Sequence, residues 1–159
     1  SLLVEPYDPA APLVIDPPLV WSTYYGGSNS YDGPRTIYCD NVNDDVYVIG
    51  YTASTNLPLQ ILAGAFYQGT ISGNQDAFIW KFSQLGVRKW ATYYGGTGIE
   101  TGEDCTLDAS GNLYVCGYTI SRYFPTHALS GAYNQPARVG GGECFFIEFN
   151  AAGSRQWAT

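Results

Sequence analysis

The sequence predicts an all-β protein of two repeated units, each of four short antiparallel strands, behind an extended N-terminal arm. Three observations point there. Residues 21–27 read WSTYYGG, residues 90–96 read WATYYGG, and a third copy opens at Trp157-Ala158-Thr159. The steps between the tryptophans are 69 and 67 residues, a period that belongs to stacked or radial arrays of one structural unit. Composition is the second observation: 14 Tyr in a chain that is 16% aromatic, with 19 Gly and 9 Pro, mixes strand formers with turn formers. The third is periodicity, because no helical apolar stripe runs longer than two turns.

Residues 1–20, SLLVEPYDPAAPLVIDPPLV, stand outside the repeat and carry Pro at 6, 9, 12, 17 and 18. Each Pro fixes φ, removes a donor and keeps its predecessor extended, so the segment reads as an extended arm. Its apolar content suits docking on a surface better than free linking. In the first unit, WSTYYGG reads as a strand, 28–34 as a polar turn, 36–40 as a strand, 41–45 as a turn and 46–52 as a strand. An irregular excursion covers 53–75, followed by strand 76–82, turn 83–86 and a closing strand at 87–96. The second unit copies this order with strands at 104–108, 112–119 and 143–149, an excursion from 120 to 142 and a closing strand opening after 150–153. Three parts result: an arm at 1–20 and repeats at 21–89 and 90–159. From Thr52 and Thr119 onward the offset is a constant 67, matching Pro58 with Pro125, Gly64 with Gly131 and Phe66 with Tyr133. An excursion so regular is specified, and its Gly-Ala-aromatic centre is expected to plug a fixed pocket.

Four short antiparallel strands per unit make one propeller blade. In DAFIWKF, Phe78, Trp80 and Phe82 point one way while Ala77 and Ile79 point the other. A strand apolar on both sides is covered on both sides, as face-to-face blade stacking does. The run W-[SA]-T-Y-Y-G-G, then D-x-x-G-N-x-Y-V-x-G-Y-T-x-S, F-P, G-A-[FY], D-A-F-x-x-K-F and G-x-x-x-W resembles the bacterial SBBP beta-propeller repeat over residues 21–159. Asn43-Asp44-Asp45 departs from its Gly-Asn turn, Leu57 stands where Phe124 does, and Glu143-Cys144-Phe145 replaces Asp-Ala-Phe. The resemblance implies a secreted or surface-exposed bacterial protein that binds or scaffolds, and it carries no active residue.

Propellers close with 4 to 8 blades, and repeat stacks need about 3 units for stability. Two blades are therefore expected to be part of a longer chain or a self-assembling subunit with two open apolar faces. Head-to-tail joining would give a ring if the rotation closes and a filament if not. The first unit could borrow or lend a WSTYYGG strand.

Acidic residues outnumber basic ones 14 to 7, and the net charge of −7 argues against nucleic acid and anionic membrane surfaces. No apolar run reaches the ~20 residues that span a bilayer. Cys105 and Cys116 are candidates for a disulfide, because a four-residue turn at 109–112 would set them directly opposite each other. Cys39 and Cys144 have no local partner, and neither pair has zinc or redox spacing. The acidic loop Asp40, Asn43, Asp44 and Asp45 lacks the calcium-loop pattern and reads as a turn. His127 is the single histidine, which rules out multi-histidine metal sites, and it reads as a surface loop residue. Tyr24, Tyr25, Tyr93 and Tyr94 could line a carbohydrate face but read first as packing residues of the repeated strand. No catalytic residue, cofactor or metal site is expected. The function expected is a non-enzymatic extracellular structural or adhesive repeat protein whose partners are copies of itself or further blades. A carbohydrate- or protein-binding lectin-like module is the alternative.

Overall fold

The computed structural model describes residues 19–29 and 31–159. The arm expected over 1–20 lies, up to residue 18, outside the described residues. The remainder forms β1 (Asp32–Asp40), β2 (Asp45–Thr52), β3 (Asp76–Ser83), β4 (Arg88–Tyr94), β5 (Glu100–Leu107), β6 (Leu113–Thr119), β7 (Glu143–Phe149) and β8 (Arg155–Ala158). They make two antiparallel sheets, ordered β1-β2-β3-β4 and β5-β6-β7-β8. The chain is all-β, and each sheet is a four-stranded meander of the propeller-blade type.

Local chemistry explains the turns. Gly86 and Gly153 close the third hairpin of each sheet with φ near +79°, a conformation that costs glycine nothing. Asp44 occupies the place of Gly111 and takes the same left-handed region at φ 54°, which Asp tolerates better than most residues. Two strands depart from expectation. β1 begins at Asp32, inside the segment 28–34 read as a turn, because a bulge between Pro34 and Thr36 absorbs the proline. The first WSTYYGG copy is not a strand: residues 21–27 pair with no sheet, although the same residues at 90–94 lie in β4. A strand exists only where a neighbour supplies hydrogen bonds, and β3 supplies them to the second copy alone.

The sheets stack face to face. Tyr47, Ile49, Ala77, Ile79, Trp90 and Tyr94 of the first meet Leu113, Val115, Phe145, Ile147 and Phe149 of the second in one core. Gly102 lets the backbones approach, since a Cβ there would stand 2.5 Å from Ile49 Cγ2. The other face of the first sheet is not left open as expected. Phe78, Trp80 and Phe82 are buried under Leu57 of the excursion, with Tyr25, Leu59 and Ile71 packed around them. Ile37 remains exposed on that sheet. The outer face of the second sheet does stay open, with Tyr114, Tyr118 and Phe146 exposed.

Candidate functional site

Between the blades runs a seam of two repeated devices, one aromatic and one carboxylate. In the aromatic device, Tyr94 of β4 leans onto the second sheet and its phenol donates to the Pro125 carbonyl at 2.6 Å. Arg155 donates to that phenol oxygen and to the same carbonyl, both at 3.0 Å. Its guanidinium also lies 5.0 Å from the Phe66 ring centroid, so Phe66 is held between the blades as a plug. A bulge between Glu148 and Phe149 is what turns Arg155 toward this cluster. The Trp90 indole donates to the Phe66 carbonyl and packs edge-on against Phe149. Burial pushes the Tyr94 phenol up to about 12, against the lowering effect of Arg155.

The same device recurs one blade earlier. Tyr25 donates to the Pro58 carbonyl, Arg88 donates to Tyr25, and Trp21 and Tyr25 pack on Phe82. Residues 21–27 therefore occupy, against the first sheet, the position that β4 occupies against the second. They stand where the outer strand of a preceding blade would pack.

The carboxylate device ties each Gly-Gly to the next blade. Glu100, fully buried, accepts from the Gly96 amide, the Thr119 hydroxyl and the Ser121 hydroxyl at 2.6–2.8 Å. Asp32 does the same for the Gly27 amide and the hydroxyls of Thr52 and Ser54. Glycine is required here by space, since a Cβ on Gly96 would stand 2.5 Å from the Tyr123 carbonyl oxygen. Beyond Gly95 lies a second carboxylate, Asp76, bonded by the Ser72 and Gly73 amides and the Gln68 amide group. An Oδ1 of Asp76 and an Oε2 of Glu100 each lie 2.7 Å from the point a Gly95 Cβ would occupy, so they are at most twice that distance apart. Burial, with the Glu100 charge adding to it, raises Asp76 to about 6. Its repeat partner Glu143 takes matching bonds from Val139, Gly140 and Gln135, yet these bonds hold it below its ordinary value. The difference is the neighbour: the second sheet covers Asp76, and Glu143 stays partly exposed.

Glu143 lies at a cavity of about 560 Å³ on the second sheet, lined by Ser121, Phe124, Phe145, Gln135, Arg138 and Trp157 among others. In the first unit the equivalent space holds the Tyr93 side chain. The Tyr93 phenol donates to the Ser54 carbonyl at 2.7 Å and accepts from the Leu57 amide at 3.0 Å, and its ring packs with Phe78.

Other residues singled out in the sequence fall elsewhere. The hairpin loop is five residues, 108–112, closed by the Asp108 amide on the Asn112 carbonyl and by Asp108 carboxylate bonds to Ser110 and Asn112. That moves the register by one, so Cys105 faces Val115 and Cys116 faces Asp104. The two cysteines sit on opposite faces of the sheet, and Cys39, Cys105, Cys116 and Cys144 are all free thiols, which corrects the expected disulfide. Asp40 bonds the Val42 and Asn43 amides and the Asn43 side chain, while Asp45 pairs with Lys81 and Lys89. His127 is exposed and its backbone pairs with Ala158. Tyr93 and Tyr94 are fully buried packing residues, but Tyr24 is fully exposed at 103%. Asp32, Asp76 and Glu100 escaped the sequence reading, although recurrence of acid and Thr-x-Ser in both units was the available signal.

Residues 20–58 and 89–124 match the family model described as "SBBP: Beta-propeller repeat". No curated protein matches the chain.

Proposed function

Starting from a chain that carries two SBBP beta-propeller repeats, we propose that it is a non-catalytic scaffold whose blades dock other blades. One observation carries this: the Tyr–Pro–Arg clasp that joins the two sheets is built a second time at residues 21–27 on the first sheet. The surface that receives the tyrosine of a preceding blade is thus repeated on each of the two sheets. On its opposite face the second sheet exposes Phe146, Tyr114 and Tyr118 as an apolar surface. Head-to-tail stacking of copies covers that face and makes the protein an extracellular structural or adhesive element. Its low charge content of 13%, with net −7, suits a dispersed secreted chain. The Asp76–Glu100 pair supports no acid–base chemistry in this reading, because both side chains are fully buried and engaged by amides and hydroxyls.

A second reading has its own observation. The cavity beside Glu143 combines Trp157 and Tyr133 with Gln135 and Arg138, a mixture suited to a sugar ring, and its size falls in the small-ligand range. Light scattering across a concentration series, with electron microscopy of the same sample, tests the scaffold reading. Concentration-dependent rings or filaments are expected, and a monomer at every concentration overturns it. A glycan array then tests the second reading.

A further inference from the structure

We infer that Asp76 and Glu100 form a pH-sensitive joint at the link between the two blades, closed while the pair holds a proton and opening when the proton leaves. Strand β4 ends at Tyr94 and β5 begins at Glu100, so the chain crosses from one sheet to the other through Gly95-Gly96-Thr97-Gly98. The two carboxylates flank this link from opposite blades: Asp76 opens β3 of the first sheet, and Glu100 opens β5 of the second. Both residues are fully buried, and each has an oxygen 2.7 Å from the point a Gly95 Cβ would take. Backbone bonds cross between the blades beside them. The Asn74 amide donates to the Gly98 carbonyl at 3.1 Å, and the Glu100 amide donates to the Gln75 carbonyl at 2.9 Å. Asn74 and Gln75 lie within two residues of Asp76, so moving the carboxylates apart parts these bonds as well. Both sheets belong to one chain, and the joint is independent of any docking between copies.

Hydrogen bonds satisfy the pair without neutralising it. Asp76 accepts from the Ser72 and Gly73 amides and the Gln68 side chain. Glu100 accepts from the Gly96 amide and the Thr119 and Ser121 hydroxyls. Every one of these donors is uncharged. Among the described residues the ion pairs are Arg35 with Glu103 and Asp45 with Lys81 and Lys89, so no cation stands within salt-bridge distance of either group. From β4 the Tyr93 phenol feels the Asp76 charge, and it is held above its ordinary value, so it stays neutral. Two like charges in a dry site with no counter-ion repel far more strongly than in water. A proton on the pair removes that repulsion, and opening the link lets water solvate both charges instead. Burial, with the Glu100 charge adding to it, raises Asp76 from 3.8 to about 6 in the closed joint. Below 3.8 both forms are protonated and opening does not depend on pH. Between there and about 6 the open form ionises first, so each rise in pH favours opening, and above that the effect levels off. A gap of about two units is about a hundredfold in the opening constant, of which about tenfold falls between pH 5 and pH 8.

Amide hydrogen exchange on the whole chain tests the joint, with Asp76→Asn and Glu100→Gln variants. The amides of residues 74 and 100 report on the link, and the β6–β7 ladder reports on the whole fold. Dividing parent by variant at each pH cancels the intrinsic pH dependence of exchange. From about pH 5 to about pH 8 the parent is expected to gain about tenfold in exchange at the link relative to Asp76→Asn. Glu100→Gln is expected to fall between the two, because it removes the repulsion and leaves Asp76 buried. Local opening exposes little surface, so exchange at the link is expected to stay flat in low urea while the ladder accelerates. A parent-to-variant ratio that does not change with pH overturns the joint. A full tenfold response in Glu100→Gln assigns the effect to Asp76 alone and overturns the pair. Link amides that follow the ladder in urea overturn it too, because the chain then opens only as a whole. If the variants do not fold, the parent is read against the exchange of its own unfolded chain at each pH, with the same tenfold gain expected and a flat profile overturning the joint.

Discussion

Replacing Asp76 with Asn measures how strongly blade-to-blade burial acts on a single carboxylate. Asp76 has no exposed surface, and burial beneath the second sheet is the largest influence on it. The neighbouring Glu100 adds to it, and the bonds from Ser72, Gly73 and Gln68 oppose it, leaving the group at about 6 against an ordinary 3.8. The folded state thus holds this proton more tightly than the unfolded chain does. Below the unfolded value both states are protonated and the group contributes no pH dependence. As pH rises from there to about 6 the unfolded chain ionises first, so stability falls, and above that it levels off. A gap of about two units at 1.36 kcal/mol per unit makes the loss about 3 kcal/mol. Asn does not titrate. Urea denaturation followed by tryptophan fluorescence at about pH 4, 5, 6 and 7 should therefore show the variant gaining about 3 kcal/mol on the parent across the series. Asp40, Asp108 and Glu143, whose values are lowered, impose the opposite slope on both proteins and cancel in the comparison. The absolute stability of the variant is not the readout, because Asn also alters the bonds to Ser72 and Gly73. A parent–variant difference that stays flat with pH, or that grows in the parent's favour above pH 6, would refute the burial argument.

Gly95→Ala should destabilise by about 1–3 kcal/mol, since its Cβ would stand 2.5 Å from Asp76 Cγ in a buried site with no room to relax. Gly64→Ala is the control: it meets no atom within 4 Å and should lose only about 1 kcal/mol from its φ of +82°, so equal unfolding midpoints for the two would contradict the packing account. Thiol labelling at mildly alkaline pH, read by mass spectrometry, should modify the exposed Cys39 and Cys144 first and Cys105 last. Burial pushes Cys105 to about 12, and mild oxidant should produce no bond between it and Cys116.

Much of this molecule was legible in its residues. The repeated tryptophans announced the period, and alternation in DAFIWKF placed Phe78, Trp80 and Phe82 on one face. The glycines at 86 and 153 marked turns that the chain does make. These are local matters, because φ preferences and side-chain alternation act over a few residues. The hairpin register at Cys105 was lost by one residue because it hung on the Asp108 carboxylate capturing Ser110 and Asn112, a bond that leaves no periodic trace.

What the tertiary structure decided is clearest where the repeat says the same thing twice and the protein answers differently. Tyr93 is buried and Tyr24 exposed; Phe66 is packed and Tyr133 exposed. Asp76 is raised and Glu143 lowered, with matching hydrogen bonds around both. Residues 90–94 are a strand, while 21–25 with nearly the same letters are not. In each pair the local sequence is equivalent and the neighbour is not. Burial, desolvation and strand pairing depend on which surface arrives from elsewhere in the chain, and only the stacking of one sheet on the next supplies that surface.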